Sequence, residues 1–429
     1  MTKTKWTCSE KTQCLPRRIS LDSLIGQESG LVLRLQAYKF ELRPNAQQLR
    51  NLRQFAGSCR FVYNKALALN VQRYEKKEKP LGYAKLCALL PHWRSEHWFL
   101  SAVPAQALQQ ALKNLERAYT NFFQKRADFP KFKKKGRRES FRIPQKFEVD
   151  NHNGRIKLPK MDWMRYRKSQ EVLGEAKNVT VSESCGKWFV SIQTEREVQP
   201  PLHPSTSAIG LDWGVACFVM MSNGEVIEQL QPLKKSLAKL AKLQRRMARK
   251  EKFSNNWKRA KAKVTKLHSK IANTRKDFLH KSSNDISKNH AIVFVEDLQV
   301  KNMSASSKGT KAKPGKRVAQ KSGLNRAILD ASPFELRRQL EYKTQWNGGL
   351  LVPVPPQNTS RKCPACRDTS AENRKTQAKF VCVECGFSAH ADWVGAINIR
   401  EAGLALLACS SSSHAVSASC QEPTEGIPA

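Results

Sequence analysis

From Leu31 the chain alternates apolar and polar positions: Leu31, Leu33 and Leu35 hold one phase, and Tyr38, Phe40 and Leu42 hold the other. The alternation predicts a strand, and the slip at Ala37–Tyr38 predicts a bulge within it. Asn45 then offers an N-cap, with Gln48 three residues on to complete a capping box. Leu49, Leu52, Phe55, Ala56, Cys59, Val62 and Leu69 follow at helical spacing. Mostly helical structure is expected to about Arg126, with breaks near Pro80 and Pro104. Residues 139–197 read as β-rich. The clearest hairpin pairs Asn178–Ser182 with Trp188–Ile192 across Ser184-Cys-Gly-Lys187. A polar, Pro-bearing stretch from Gln199 to Ser207 marks a boundary.

Beyond it the pattern changes. A strand from Ile209, a tight turn at Asn223-Gly224 and a further strand precede a helical region, residues 233–281. Leu233, Leu237, Leu240, Leu243 and Met247 form one apolar stripe there, and Val264, Leu267, Ile271 and Phe278 form another. Ser254-Asn-Asn256 lies between them, which predicts two antiparallel helices. Ala291–Val295 is a continuous apolar run, as in a strand buried on both faces. A Lys/Gly/Ser-rich loop is expected over 301–323, a helix over Ala331–Gln345, a strand over Leu350–Val354 and a last helix from near Asp392. Residues 1–31 and 408–429 lack periodicity and read as loose ends.

Charge changes the picture more than length does. The 429 residues carry 76 Lys and Arg against 36 Asp and Glu, a net charge of +40. Such a chain repels itself unless an anionic partner relieves it, and a polynucleotide does so by releasing its condensed counterions. No stretch is apolar for long enough to span a bilayer, and the N-terminus has no apolar signal segment. The densest basic surfaces are Lys131, Lys133, Arg137 and Arg138 in a run flanked by Phe129 and Phe132, and the helix pair, with Arg245, Arg246, Arg249, Lys258 and Arg259. Trp257, Phe129, Phe132 and Tyr38 are candidates to stack on bases, although aromatics at such spacings also serve as core.

Of twelve cysteines, eight are scattered, which fits a reducing, cytoplasmic setting better than a disulfide framework. The other four, Cys363, Cys366, Cys382 and Cys385, follow C-x2-C-x15-C-x2-C. Two CxxC turns supply four soft ligands as a tetrahedron, the arrangement of a structural Zn²⁺ site. Arg361, Lys362, Arg367, Arg374, Lys375 and Lys379 flank them and could add a nucleic-acid contact.

In so basic a chain, acids at the ends of apolar strands stand out. Asp212 lies in Ile209-Gly-Leu-Asp-Trp-Gly214, Glu296 ends Ile292-Val-Phe-Val-Glu296, and Asp392 follows Ala389-His-Ala. Singly, each has an ordinary reading, such as a turn residue or an N-cap. Together, three carboxylates from separate segments can hold Mg²⁺, which prefers oxygen ligands and, as a pair of ions, activates water and stabilises the departing oxygen of a phosphodiester. Asp297 would face the other side of its strand.

The three acids in this order, with a four-cysteine finger before the last, resemble the TnpB family of transposon-encoded RNA-guided DNA endonucleases, relatives of type V CRISPR effectors. Arg34–Leu42, Phe55–Lys65, Ile209–Val215, Val295–Leu298 with Lys301–Met303, Val354–Ser360 and the finger through Asn398 carry the likeness, which spans about residues 32–408. It implies a multidomain α/β protein with an RNase H-like (RuvC-type) nuclease core over 208–356 and 388–407. The zinc finger, 357–387, interrupts that core. An oligonucleotide-binding β-barrel wedge domain over 32–44 and 128–200 would precede it, with a helical recognition insert over 45–127. The resemblance assigns catalysis to Asp212, Glu296 and Asp392, zinc to the four cysteines, a guide RNA encoded at the transposon end as partner, and double-stranded DNA at the nucleoid as target. Two departures are visible: Arg367 stands where Gly is common after the second cysteine, and Trp393-Val-Gly-Ala396 replaces the usual x-Asn-Ala-Ala. Left-handed backbone at Arg367 would be strained. Two alternatives keep the same chemistry or discard it: a guide-free transposase or resolvase, and a non-catalytic zinc-finger regulator.

Overall fold

The computed structural model describes residues 30–310 and 312–417; residues 1–29 and 418–429, most of the two expected loose ends, lie outside them. The chain divides into two compact units, one of Leu31–Gln199 and one from Pro200 onward.

The first unit opens with β1 (Val32–Arg43), then α1 (Ala46–Glu75), α2 (Tyr83–Ala88), α3 (Leu90–Glu96), α4 (Trp98–Ser101) and α5 (Ala105–Phe123). Six strands follow: β2 (Ser140–Ile143), β3 (Glu148–Asp150), β4 (Arg155–Lys157), β5 (Met164–Tyr166), β6 (Glu175–Ser184) and β7 (Lys187–Val198). They form an antiparallel sheet in the order β2-β6-β7-β1-β5-β4-β3. The Asn45–Gln48 capping box starts α1, with both reciprocal hydrogen bonds formed. The β6–β7 hairpin turns on Cys185 and Gly186, both left-handed at φ 55° and 78°, as a two-residue hairpin matched to strand twist requires. One continuous core joins sheet to helices, with Phe40, Phe55, Leu108, Leu112, Val190 and Ile192 buried together.

The expected bulge at Ala37–Tyr38 is absent. β1 pairs with β7 without interruption from Val32↔Val198 to Glu41↔Phe189. The phase change arises because Leu33 and Leu35 face outward, 53% and 66% exposed, while Tyr38, Phe40 and Leu42 face the core. The irregularity lies in β6, between Ala176 and Asn178.

The second unit contains β8 (Ala208–Trp213), β9 (Val219–Met221), β10 (Val226–Ile227), α6 (Pro232–Ala248), α7 (Asn255–Asn289), β11 (Ile292–Glu296), α8 (Val300–Met303), α9 (Val318–Ala331), α10 (Pro333–Trp346), β12 (Leu350–Val354), β13 (Lys379–Val381), β14 (Ser388–His390) and α11 (Ala391–Ser417). Its main sheet runs β10-β9-β8-β11-β12. β11 is parallel to both neighbours, whereas β9 runs antiparallel to β8 and β10. The central strand β11 is covered on both faces, which explains its unbroken apolar run. Val293 and Val295 pack with Leu279, Ile286, Leu336 and Leu340, and Ile292 and Phe294 pack with Ile399 of α11.

Three sequence boundaries move. The loop expected to reach residue 323 gives way at Val318 to a helix that ends at Ala331, and the helix expected over Ala331–Gln345 forms as α10, starting at Pro333 after Ser332 at φ 57°. The final helix continues to Ser417, past the point where a loose tail was expected. Among the described residues, no helix is long and apolar enough to cross a membrane.

Candidate active site and metal centre

Parallel pairing of β8 with β11, in register at Leu211↔Val295, brings their C-terminal ends side by side. Asp212 and Glu296 are the next residues on these two strands, one residue beyond the last buried apolar pair. On β8, Ile209 and Leu211 enter the core shared with α7 and α10, so the alternation of a strand turns Gly210 and Asp212 toward α11. A side chain has no room at Gly210: a Cβ there would lie 2.2 Å from the Ala396 carbonyl oxygen of α11. The helix therefore passes against the strand backbone. At Gly395 a Cβ would lie 2.7 Å from Asp212 Oδ2, so the carboxylate rests on the helix one turn from Asp392. Trp393 Nε1 donates to the Ser222 carbonyl at 3.2 Å and fastens that turn to the sheet.

Fixed partners hold two of the three acids, Glu296 and Asp392. Thr359 Oγ1 donates to Glu296 Oε1 at 2.6 Å. Asn398 Nδ2 in turn donates to the carbonyls of Thr359 and Lys362, each at 2.7 Å, tying α11 to the entry of the cysteine module. Arg374 Nη2, which comes from inside that module, pairs with Asp392 Oδ1 at 3.0 Å and also donates to the Gln377 carbonyl.

The electrostatics show that the groups share one environment. Burial pushes the Asp212 carboxyl up to about 8; the nearby Glu296 and Asp392 carboxylates add to the rise, and Arg374 opposes it. Burial also raises Glu296, against the Thr359 hydrogen bond and Arg374. Anions crowded and desolvated in this way call for a cation, and their oxygen donors match Mg²⁺. The other side of the sheet receives Asp297, which pairs with Arg337 at a cavity of about 460 Å³ also lined by Trp213 and Phe334.

The cysteine module is a second centre. Cys363, Cys366, Cys382 and Cys385 place their sulfurs within 4.8 Å of one another, the one such group of metal-type side chains among the described residues; the three acids are spaced more widely. Cys363–Cys385 and Cys366–Cys382 sulfur separations are 3.7 and 3.5 Å. A tetrahedron with Zn–S bonds of about 2.3 Å has edges of about 3.8 Å, so the cage fits zinc. The two halves repeat one turn: Arg367 N–H donates to the Cys363 carbonyl and Gly386 N–H to the Cys382 carbonyl. Arg367 at φ 66° and Gly386 at φ 71° occupy equivalent left-handed positions. The arginine thus bears a strain of about 1–2 kcal/mol that glycine avoids. The β13–β14 hairpin supplies Phe380, which packs with Cys363, Cys382 and Val394 of α11. Cys59, Cys87 and Cys217 lie outside this cage as unbridged thiols.

The basic candidates fall in separate places. Arg245, Arg246, Arg249, Lys258 and Arg259 are exposed on the α6–α7 hairpin. In the first unit, Lys131 pairs with Asp128, Lys133 Nζ lies 4.0 Å over the Tyr63 ring, and Arg137 and Arg138 are exposed in a loop. Tyr38 is core, 3% exposed, which removes it from the base-stacking candidates. Sequence reasoning missed Thr359 and Asn398, and counted Arg374 only among flanking charges. Nothing local marks a side chain whose partner is 18 or 63 residues away.

Comparison with known proteins agrees across the chain. Residues 191–307 match a family described as a probable transposase (OrfB_IS605), residues 334–399 a Cas12f1-like TNB domain and residues 34–79 a helix-turn-helix domain. A protein of Escherichia coli (strain K12) named "Putative RNA-guided DNA endonuclease InsQ" is 52% identical over 398 residues, 92% of this chain and 99% of that one. A relative from Streptomyces pristinaespiralis, named "Putative RNA-guided DNA endonuclease", is 34% identical over 87% of this chain and 90% of its own. Among solved structures, a Cas12f1–sgRNA–target DNA complex shares the fold: TM-score 0.51 at 12% identity, covering 86% of this chain and 99% of that one.

Proposed function

The chain belongs to the TnpB family, and from that premise we propose that it is an RNA-guided DNA endonuclease whose phosphodiester chemistry is carried by Asp212, Glu296 and Asp392. The observation that carries this reading is the buried Asp212 carboxyl, raised further by the nearby Glu296 and Asp392, so that acids from two parallel strand ends and one helix start meet at one place. The strand order of the second unit, three antiparallel strands followed by two added in parallel, is that of an RNase H-like core and supports the same reading. On this reading the antiparallel sheet of the first unit would be the wedge domain and the helices between β1 and β2 the recognition insert.

Asp212, Glu296 and Asp392 would hold the divalent ions. Bound Mg²⁺ supplies Lewis acidity toward the phosphate and an activated water. The chain's own contribution is placement. Thr359 fixes the orientation of Glu296, and the close approach of α11 at Gly395 confines Asp212. Arg374 balances the acidic charge beside Asp392, where a guanidinium also suits a phosphate oxygen. The four cysteines would bind a structural Zn²⁺, closed to substrate because all four positions are filled by protein. That ion would hold Arg374 in reach of the acids.

Sequence would be read by pairing between guide and target, the guide being an RNA encoded at the transposon end and the target double-stranded DNA in the cytoplasm, at the nucleoid. The protein would supply cationic backbone contacts. The exposed arginines and lysines of the α6–α7 hairpin are the candidates for those contacts. Sequencing RNA that copurifies with the protein, then assaying plasmid cleavage by the complex with and without Mg²⁺, tests the proposal. Cleavage that needs RNA and metal is expected. Metal-dependent cleavage by RNA-free protein would favour the guide-free transposase, and binding without cleavage would favour the regulator.

A further inference from the structure

The turn between α6 and α7 is built around an aromatic residue in a costly conformation. Phe253 sits at φ 73°, in the left-handed region that bulky side chains avoid, and the residue is 66% exposed. The next residue, Ser254, caps α7 by accepting the Trp257 N–H at 3.1 Å, so the strained turn and the helix start are one unit. The cap places Trp257 one turn into α7, where its ring meets Phe253 at 5.5 Å between centroids, tilted by 58°. Lys252 Nζ lies 5.3 Å from the Phe253 ring and Lys261 Nζ 5.1 Å from the Trp257 ring. Between residues 245 and 261 there are eight Lys or Arg and one acid, Glu251. Behind the turn, Leu240, Val264, Leu267 and Ile271 pack the two helices together without help from Phe253.

Neither aromatic therefore reads as core. An exposed ring held in a strained turn needs a reason outside the fold. The surrounding charge selects a polyanion, and paired rings flanked by cations match the way proteins take the face of an unstacked base. We propose that this hairpin tip is a base-stacking site: Phe253, supported by Trp257, takes the face of an unpaired nucleobase, while the neighbouring lysines and arginines hold the phosphates on either side. The inference rests on the polynucleotide-binding function proposed above and adds a specific contact to it. Because stacking is indifferent to the sugar, the base can come from RNA or from displaced DNA.

The test measures binding of the full chain to three probes: a single-stranded DNA oligonucleotide, RNA of the same sequence, and a DNA backbone of equal length that is abasic throughout. The parent should prefer the base-bearing strands to the abasic one. Phe253→Gly should bind them roughly five- to a hundredfold more weakly, the range expected for one stacked base. It should leave abasic binding and the salt slope unchanged, since no phosphate contact is lost. Phe253→Trp should keep the preference. Because glycine accepts φ 73°, Phe253→Gly should also unfold at the parent's temperature or above it. Whether the loss is greater with RNA or with DNA identifies which strand supplies the base. If Phe253→Gly keeps the base preference, or Phe253→Trp loses it as fully as glycine does, stacking at this tip is overturned and the nuclease reading stands. If the parent binds none of the probes, both fall.

Discussion

Two metal-type centres lie on either side of one helix start, and they are built in opposite ways. The cysteine cage is assembled from two short turns and a hairpin, with sulfurs as close as 3.5 Å. The acid cluster is assembled from β8, β11 and α11, elements separated by long stretches of chain, and its carboxylates stand further apart. Thiols drawn together cost little while they remain protonated. Carboxylates drawn together cost more: at about 8, Asp212 already shows the penalty of burial beside two others. The cage can thus be compact before metal arrives, whereas the acids pay for their proximity, and an arginine pairs with one of them. Spacing in sequence and spacing in space go together, and each centre depends on a different part of the fold.

The largest expected effect breaks the acid side alone. Asp212→Ala should abolish DNA cleavage, a loss well beyond the 10–100-fold usual for a group one step removed from a metal. Retention of guide RNA and target should be unchanged in gel-shift assays. If the variant cuts at the parental rate, these acids are not the catalytic ones. Next comes the cage. Chelation, or Cys363→Ser with Cys385→Ser, should release one zinc per chain by elemental analysis and unfold the 357–387 module. The energy at stake is large, since structural zinc binds with about 10–16 kcal/mol. The five-stranded core should keep its circular dichroism. Cleavage should fall too, because Arg374 and Thr359 lose their support. Intact cleavage after zinc loss would show the two centres to be independent.

Arg374→Gln sharpens the link between them. With zinc retained, cleavage should fall about 10–100-fold, as for other partners of metal-binding groups. The sign of the pH effect follows from the same contact. The Asp212 carboxyl is raised from 3.8 to about 8 in the folded chain. The stability its proton confers is therefore complete below the unfolded value and lost as pH rises through about 8. Arg374 lowers that value, so Arg374→Gln should move the loss to higher pH in metal-free protein, seen in melting temperature against pH. A shift to lower pH would remove the arginine from the site.

The cysteine cage was legible in the sequence because its geometry is local: CxxC fixes a turn, and two turns fix a tetrahedron. The fold was legible where one face decides the pattern, as in the Asn45 capping box or the doubly covered β11. It was misread in β1, where outward-facing Leu33 and Leu35 imitate a core face and suggest a bulge that the β7 pairing excludes. The acids were visible as strand ends, but their meeting was expected only through the family resemblance, since no local signal says that β8 and β11 are neighbours or that α11 returns across them. Arg374, Thr359 and Asn398 owe their roles wholly to that return.

The smallest predicted effect tests the return itself. Gly210 lies two residues before Asp212, and the structure supplies its reason: α11 passes so close that a Cβ would sit 2.2 Å from the Ala396 carbonyl and 2.9 Å from the Arg400 Cβ. Backbone cannot yield as a flexible side chain can, so Gly210→Ala must push the helix away from the strand. Overpacking of this kind costs about 1–3 kcal/mol, a drop of several degrees in melting temperature for a unit of this size. The shift carries Asp392 away from Asp212 while leaving every carboxylate and cysteine in place. Higher Mg²⁺ should then be needed for half-maximal cleavage, with zinc content unchanged. Asp212→Ala removes an acid outright; Gly210→Ala only widens the gap between acids. If Gly210→Ala melts lower yet needs no more Mg²⁺ than the parent, the distance between strand end and helix start does not set metal affinity, and the contrast between a cage fixed by spacing and a cluster fixed by packing loses its physical basis.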